Sequence, residues 1–359
     1  MKFLLIGNPC FNNALRSLGH EVKMAARSSA YPSNIPIDIP ITALPTALDT
    51  ILTALPQNWQ PDWVVLCDES TFPLVSGLES SPYPVAWYTI DSHIHFKWHP
   101  WYASVFDYIF VAHKDYLKNY RIAGRKAKVE WLPVFSNPTK DKYLNIQKIY
   151  DISFVGTMNP ILNPKRVEFI EALKKKIPLN VAQGDYVEIF NQSKMVVNQC
   201  VLDDLNFRVF EAMACGPLLL TEDTDNGLKE LFTDKKQLVL YQPNNVDNVV
   251  ELFNHYMENE EERKKIAQCG MSDVQTKHTS HTRAMRVVEA LSTIPAVQIL
   301  ENRNKNMSEI KLNTAKVMQH VALVYLDQSE TEVDPARSEG LLSVCKNYLT
   351  IYRDLSTDI

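Results

Sequence analysis

The sequence predicts an α/β fold with two doubly wound, mostly parallel sheets. Three observations lead there. Short, continuous Val, Ile and Leu runs recur along the chain, as expected of parallel strands covered on both faces. Helix-like stretches separate these runs, giving the β-α alternation of Rossmann-like domains. The chain also opens twice in a similar way, with KFLLIGN from residue 2 and ISFVGT from residue 152, without a true repeat.

In chain order, the first set of candidate strands is Phe3–Ile6, Trp63–Cys67, Val85–Thr89, Tyr108–Val111 and Glu130–Pro133. The second set is Ile152–Val155, Leu179–Val181, Met195–Asn198, Leu218–Thr221 and Leu238–Tyr241. Helical patterns cover Pro164–Lys176 and Asn206–Ala214. Between the sets runs the polar, proline-containing stretch SNPTKDKYLNIQKIYD, which places a domain boundary at 148. The expected division is therefore 1–148, 149–292 and 293–359. In the last part, MSEIKLNTAKVMQHVALVYL and PARSEGLLSVCKNYLTIYRDL carry apolar residues at helical spacing around an acidic break, DQSETEVD. This helical extension reads as a packing or homodimerisation element, or as a docking element for an acceptor protein.

Composition narrows the function classes. The 359 residues are 45% hydrophobic and 22% charged, as in an ordinary globular protein. A net charge of −5 argues against nucleic acid as the main partner. Basic clusters at Arg121–Lys128 and Lys174–Lys176 read as solvated faces. The six cysteines form no CxxC pair and are spaced too widely for a zinc site, so reduced thiols in a cytoplasmic protein are expected. The apolar run at the start, Phe3–Ile6, is too short for a signal peptide. No run of about 18 apolar residues predicts a transmembrane segment.

The chemistry concentrates between Val201 and Phe232. Asn206–Ala214 is an amphipathic helix preceded by Asp203 and Asp204, where acidic or capping residues suit a helix start. Cys215-Gly216 ends it, with Gly216 at the C′ position. The free amides at such a helix start can hold a diphosphate. Glu211, inside the helix, is the residue type that accepts two ribose hydroxyls. Arg208 offers a planar fork to phosphate oxygens. The plainer reading of Glu211 and Arg208 is a salt pair on a helix, and Asn206 is either a cap or a donor contact.

The pattern N-x-R-x-F-E-A-x-A-C-G-x-L-L-L-T followed by G-L-x-E-L-F resembles the C-terminal domain of spore maturation protein CgeB-like glycosyltransferases, with supporting similarity across roughly 85–292. The resemblance implies a GT-B fold: two Rossmann-like domains facing a cleft, the first binding acceptor and the second a nucleotide-sugar donor. Relatives in the wider group carry E-x7-E, in which the second Glu binds the ribose and the first contacts the donor hexose. Here these positions are Glu211 and Asp203, a D-x7-E variant. In similar transferases the turn at Gly156-Thr157 faces the donor phosphates, which basic residues neutralise; Lys165 and Arg166 match, or are a plain first-turn pair. Gln183, Gly184, Asp185 and Tyr186 lie where such folds read the nucleobase, with Tyr186 available to stack. Phe207 joins the donor-binding set through its place in the motif.

On the first half, Asp91, Ser92, His93 and His95 follow the strand VAWYTI at its carboxyl end. Similar proteins place an acid after this strand, so Asp91 is the expected general base, with His93 beside it. The histidines also read as structural. Asp68, Glu69 and His113 are weaker candidates. Absence of GxGxxG argues against a dinucleotide dehydrogenase. The expected enzyme is a hexosyltransferase-like glycosyltransferase with an unidentified hydroxyl-bearing acceptor, no cofactor and no obligatory metal. The alternatives are a non-catalytic relative that binds a nucleotide or partner, and a nucleotide-sugar epimerase.

Overall fold

The computed structural model describes residues 1–28, 31, 35–68, 70–121 and 127–357. They form two compact units. One comprises Met1–Ala112, Tyr116–Leu132 and Ala284–Ile359; the other comprises His113–Asp115 and Pro133–Arg283.

The strands of the first unit are β1 (Lys2–Gly7), β2 (Glu21–Ala26), β3 (Ile39–Pro40), β4 (Thr46–Ala47), β5 (Trp63–Cys67), β6 (Val75–Ser76), β7 (Val85–Thr89), β8 (Tyr108–Val111) and β9 (Lys128–Trp131). Seven of them make one sheet in the order β3-β2-β1-β5-β7-β8-β9, every pairing parallel. β4 and β6 pair separately. The runs β5, β7 and β8, apolar but for Thr89, are buried throughout. β2 escaped the sequence pattern because Glu21 and Lys23 interrupt its apolar run. β9 sits two residues earlier than expected; Pro133 lacks the N–H a ladder needs.

The C-terminal helices belong to this unit. Met307–Thr331 and Pro335–Thr357 pack on each other, and Met318, Val321 and Tyr348 share one core with Leu4, Val64 and Trp87. The extension expected from 293 onward is thus not a separate appendage: its apolar faces complete the first unit. The break between the helices is also shorter than DQSETEVD. Asp327–Thr331 remains helical, there being no Gly or Pro before Pro335.

In the second unit, β10 (Tyr150–Val155), β11 (Leu179–Ala182), β12 (Ser193–Asn198), β13 (Leu218–Glu222) and β14 (Val239–Tyr241) form a parallel sheet in the order β11-β10-β12-β13-β14. Ile152, Phe154, Met195, Leu218 and Val239 enter its core with Phe169 and Ile170 from the helix Pro164–Lys174. The polar seam belongs here as well. Leu144 N–H donates to Asn191 Oδ1 at 2.6 Å, Lys148 Nζ to the Asn191 carbonyl at 2.6 Å, and Ser136 N–H to the His278 carbonyl at 3.0 Å. Hydrogen bonds rather than apolar residues bind this stretch, so the units change over at 132/133 instead of 148. The second changeover falls at 283/284 instead of 292.

Candidate functional site

In the second sheet the strand order reverses at β10, with β11 on one side and β12 on the other. Loops leaving such a switch point diverge and open a crevice beyond the strands' carboxyl ends. A cavity of about 470 Å³ lies there. Gly156 and Thr157 after β10, Gln183 and Gly184 after β11, and Asn198 at the end of β12 line one part. Asp204, Asn206, Phe207, Arg208 and Glu211, with Arg166, line the rest.

The backbone accounts for several of these positions. A Cβ on Gly156 would approach the Phe154 ring to 2.7 Å, so the tight turn over β10 suits glycine. Gly184 has φ +91°, where an L side chain is strained. Asn206 is the extended N-cap of the helix Phe207–Ala214 (φ −89°, ψ 166°), and its side chain makes no capping bond. Its Oδ1 is buried without a hydrogen-bond partner among the described residues. At the other end, Gly216 takes the expected left-handed C′ conformation, φ +96°.

The side chains form a linked set. Arg208 Nη1 lies 2.9 Å from Glu211 Oε2. Its guanidinium covers the Tyr186 ring at 4.5 Å and the Phe190 ring at 5.2 Å. The Tyr186 hydroxyl lies 2.8 Å from Glu211 Oε1 and 2.7 Å from Asp141 Oδ1. Burial raises the Glu211 carboxyl against the opposing pull of Arg208, and burial likewise raises Asp141. Arg166 is anchored by Nε to Gln199 Oε1 and Nη2 to the Gln199 carbonyl, both 3.0 Å.

Four expected site residues stand elsewhere or act differently. Asp185 is exposed and off the cavity wall, its Oδ1 accepting the Val187 N–H at 3.2 Å. Tyr186 is buried, and both Lys140, 4.0 Å from its ring centroid, and Arg208 lie over the ring. It is not open to stack on a base; its hydroxyl holds Glu211. Lys165 is exposed and off the cavity wall, because successive residues of a helix start face different directions. Asp203 is exposed with φ +57°, following Leu202 at φ +53°, and is not on the wall; its carbonyl accepts from Asn226 Nδ2 at 2.8 Å. Asp141 was missed by sequence reasoning. It lies in the polar seam, 45 residues from Tyr186, and no local pattern distinguishes it from a linker acid.

In the first unit, Asp91 follows β7 and precedes the short helix Ser92–His95. Its Oδ2 accepts from the Ser70 hydroxyl. Asp68, after β5, accepts from the N–H groups of Ile90 and Asp91 at 3.3 Å each and of Ser70 at 3.2 Å. Burial, aided by the Asp91 charge, pushes Asp68 up to about 7. His93 is buried, and desolvation lowers it against the pull of Asp91. His95 Nδ1 accepts from Trp98 Nε1 at 3.3 Å. His113 is buried in the second unit, and Glu69 lies outside the described residues.

The Asp68 shift has a measurable consequence. An unfolded Asp releases its proton near 3.8 and folded Asp68 near 7. Its contribution is therefore fully present below about pH 4 and declines as pH rises to 7. In urea titrations across pH 4–8, wild-type stability is expected to fall more steeply with pH than that of Asp68→Asn. Parallel curves would contradict the assignment.

Residues 151–289 match the family model described as glycosyl transferase-like. Comparison with curated protein sequences found no match. Among solved structures, HepE of Anabaena in complex with UDP and glucose aligns with a TM-score of 0.61 at 13% identity, over 82% of this chain and 100% of that one. A glycosyltransferase of Rickettsia africae gives 0.58 at 11%, over 84% and 99%. Sucrose-phosphate synthase of Thermosynechococcus elongatus gives 0.55 at 12%, over 82% and 99%. At these identities the likeness is one of fold, and it is the GT-B fold expected from the sequence; the 151–289 match is to the transferase class expected for that half.

Proposed function

We propose that the chain is a glycosyltransferase whose donor, a nucleoside-diphosphate sugar, binds in the cavity at the β10 switch point. The observation that carries this reading is the meeting there of a close-approach glycine turn, an open helix start and the Arg208–Glu211 pair. The first two suit a diphosphate and the carboxylate suits a ribose diol. The match of 151–289 to a glycosyl transferase-like model supports it, as do structural neighbours solved with UDP, one also with glucose. The CgeB-like subtype is part of the proposal and rests on the motif from Asn206 to Thr221.

Arg166 and the helix amides replace a metal as the neutralising charge in this reading, and cytoplasmic residence goes with it. Among the described residues no group of three or more His, Cys, Asp or Glu is placed to hold a metal, and no helix is long and apolar enough to cross a membrane. Asp91 is the proposed base for the acceptor hydroxyl, with His93 and Asp68 beside it. Purified protein is expected to release nucleoside diphosphate slowly from one of a panel of nucleotide-sugars. Asp91→Asn is expected to keep donor affinity and lose transfer by about 100-fold, the range of general-base catalysis. Tight binding with no turnover of any donor would favour a binding module instead. Unchanged turnover in Asp91→Asn would move the base elsewhere.

A further inference from the structure

The contacts around Tyr186 raise a question of proton count. Its hydroxyl oxygen lies 2.7 Å from Asp141 Oδ1 and 2.8 Å from Glu211 Oε1. A phenol has one proton to donate, and an ionised carboxylate has none. With both acids ionised, one of these two contacts would press lone pairs together in a buried site. A second proton must therefore sit on one of the carboxyls. Glu211 has the cation, Arg208 at 2.9 Å from its other oxygen. Asp141 Oδ2 instead accepts the Asn137 N–H at 2.6 Å, and the nearby Lys140 ammonium lies over the Tyr186 ring. The second proton thus belongs on Asp141 Oδ1.

We infer that Asp141 is kept as a neutral carboxylic acid which, by donating to the Tyr186 hydroxyl, makes Tyr186 donate to Glu211 and so positions the Glu211 carboxylate for a donor's ribose hydroxyls. Asp141 and Tyr186 are positioning residues: they act through Glu211, which lines the cavity. The inference rests on reading that cavity as the donor site. Burial pushes both carboxyls up, and Arg208 opposes that push chiefly on Glu211, which leaves the proton to Asp141. The ionisable groups facing the trio are Lys140, Arg208 and the buried Cys215 thiol, with Lys148 beyond the thiol. When Asp141 ionises at higher pH, the two carboxylates compete for one phenol proton and Glu211 loses part of its support.

Asparagine distinguishes this arrangement from an ionised Asp141. Its amide oxygen can accept from Asn137 while its NH₂ donates to Tyr186, as the neutral acid does. The test is calorimetric titration with UDP, GDP and ADP, repeated with the 2′-deoxy form of the tightest binder. Tyr186→Phe and Asp141→Ala are each expected to weaken ribonucleotide binding roughly tenfold, one charge-assisted hydrogen bond, and to reduce the preference for ribo over 2′-deoxy. Wild-type affinity is expected to decline at alkaline pH; Asp141→Asn is expected to keep the neutral-pH affinity of wild type and to lack that decline. Wild-type behaviour of Tyr186→Phe, or an Asp141→Asn as weak as Asp141→Ala, overturns the inference. Glu211→Ala separates the two claims. If it loses the ribo preference while Tyr186→Phe does not, only the relay fails. If it binds like wild type, or if no nucleotide binds the wild type, the donor-site reading fails too.

Discussion

Replacing Glu211 by alanine is expected to weaken nucleoside-diphosphate binding about 100-fold while leaving thermal unfolding nearly unchanged. Two hydrogen bonds from a ribose diol to a carboxylate are each worth about 1.5–3 kcal/mol, so the low end of their sum, about 3 kcal/mol, gives this factor. Little stability should go with it. The Glu211 and Arg208 side chains are 17% and 22% exposed, so water can reach the guanidinium once the carboxylate is gone. The buried face of the helix, Val209, Phe210 and Met213, is untouched. Isothermal calorimetry with UDP and with the panel above reads the first quantity and differential scanning calorimetry the second. Affinity within twofold of wild type would remove Glu211 from the site. A large fall in melting temperature would make it a structural ion-pair partner instead.

The residues that could be read in advance are those whose role is local. Gly156, Asn206, Arg208 and Glu211 owe their positions to a strand end or a helix start, and both announce themselves through runs and caps. Gly216 at a helix end is of the same kind. What escaped depends on contacts between distant segments. Asp141 matters only because the seam folds back on the helix Val187–Asn191 through Asn191, and a polar stretch held by hydrogen bonds looks like a linker in sequence. The sequence places Tyr186 in the loop over the sheet, but only the structure shows Lys140 and Arg208 over its ring and so its role beside Glu211. The C-terminal helices were recognised by period, yet nothing in a period names the core they enter. Asp203 matches a motif position by spacing alone, and a spacing does not show the left-handed backbone that Asp203 adopts off the cavity wall.

The tie between the helix that precedes the C-terminal pair and the first unit supplies the largest stability effect. Arg303 is 1% exposed, in the helix Ala296–Lys305. Its Nη1 donates to the Ser81 carbonyl at 2.6 Å and its Nη2 to the Tyr83 carbonyl at 3.0 Å. The same guanidinium pairs with Asp107, whose Oδ2 also accepts the Val85 N–H at the start of β7. Arg303→Ala would leave a buried carboxylate without its cation and two carbonyls without donors. Breaking a buried pair from one side costs about 3–5 kcal/mol, which in a unit of this size lowers the melting temperature by roughly 10 °C. Removing both charges, as Arg303→Met with Asp107→Asn, should cost less than the single change, because no unpaired charge remains. Urea unfolding of the three proteins decides it: if Arg303→Ala lies within about 1 kcal/mol of wild type, solvent reaches the pair and the helix is held by its apolar contacts alone.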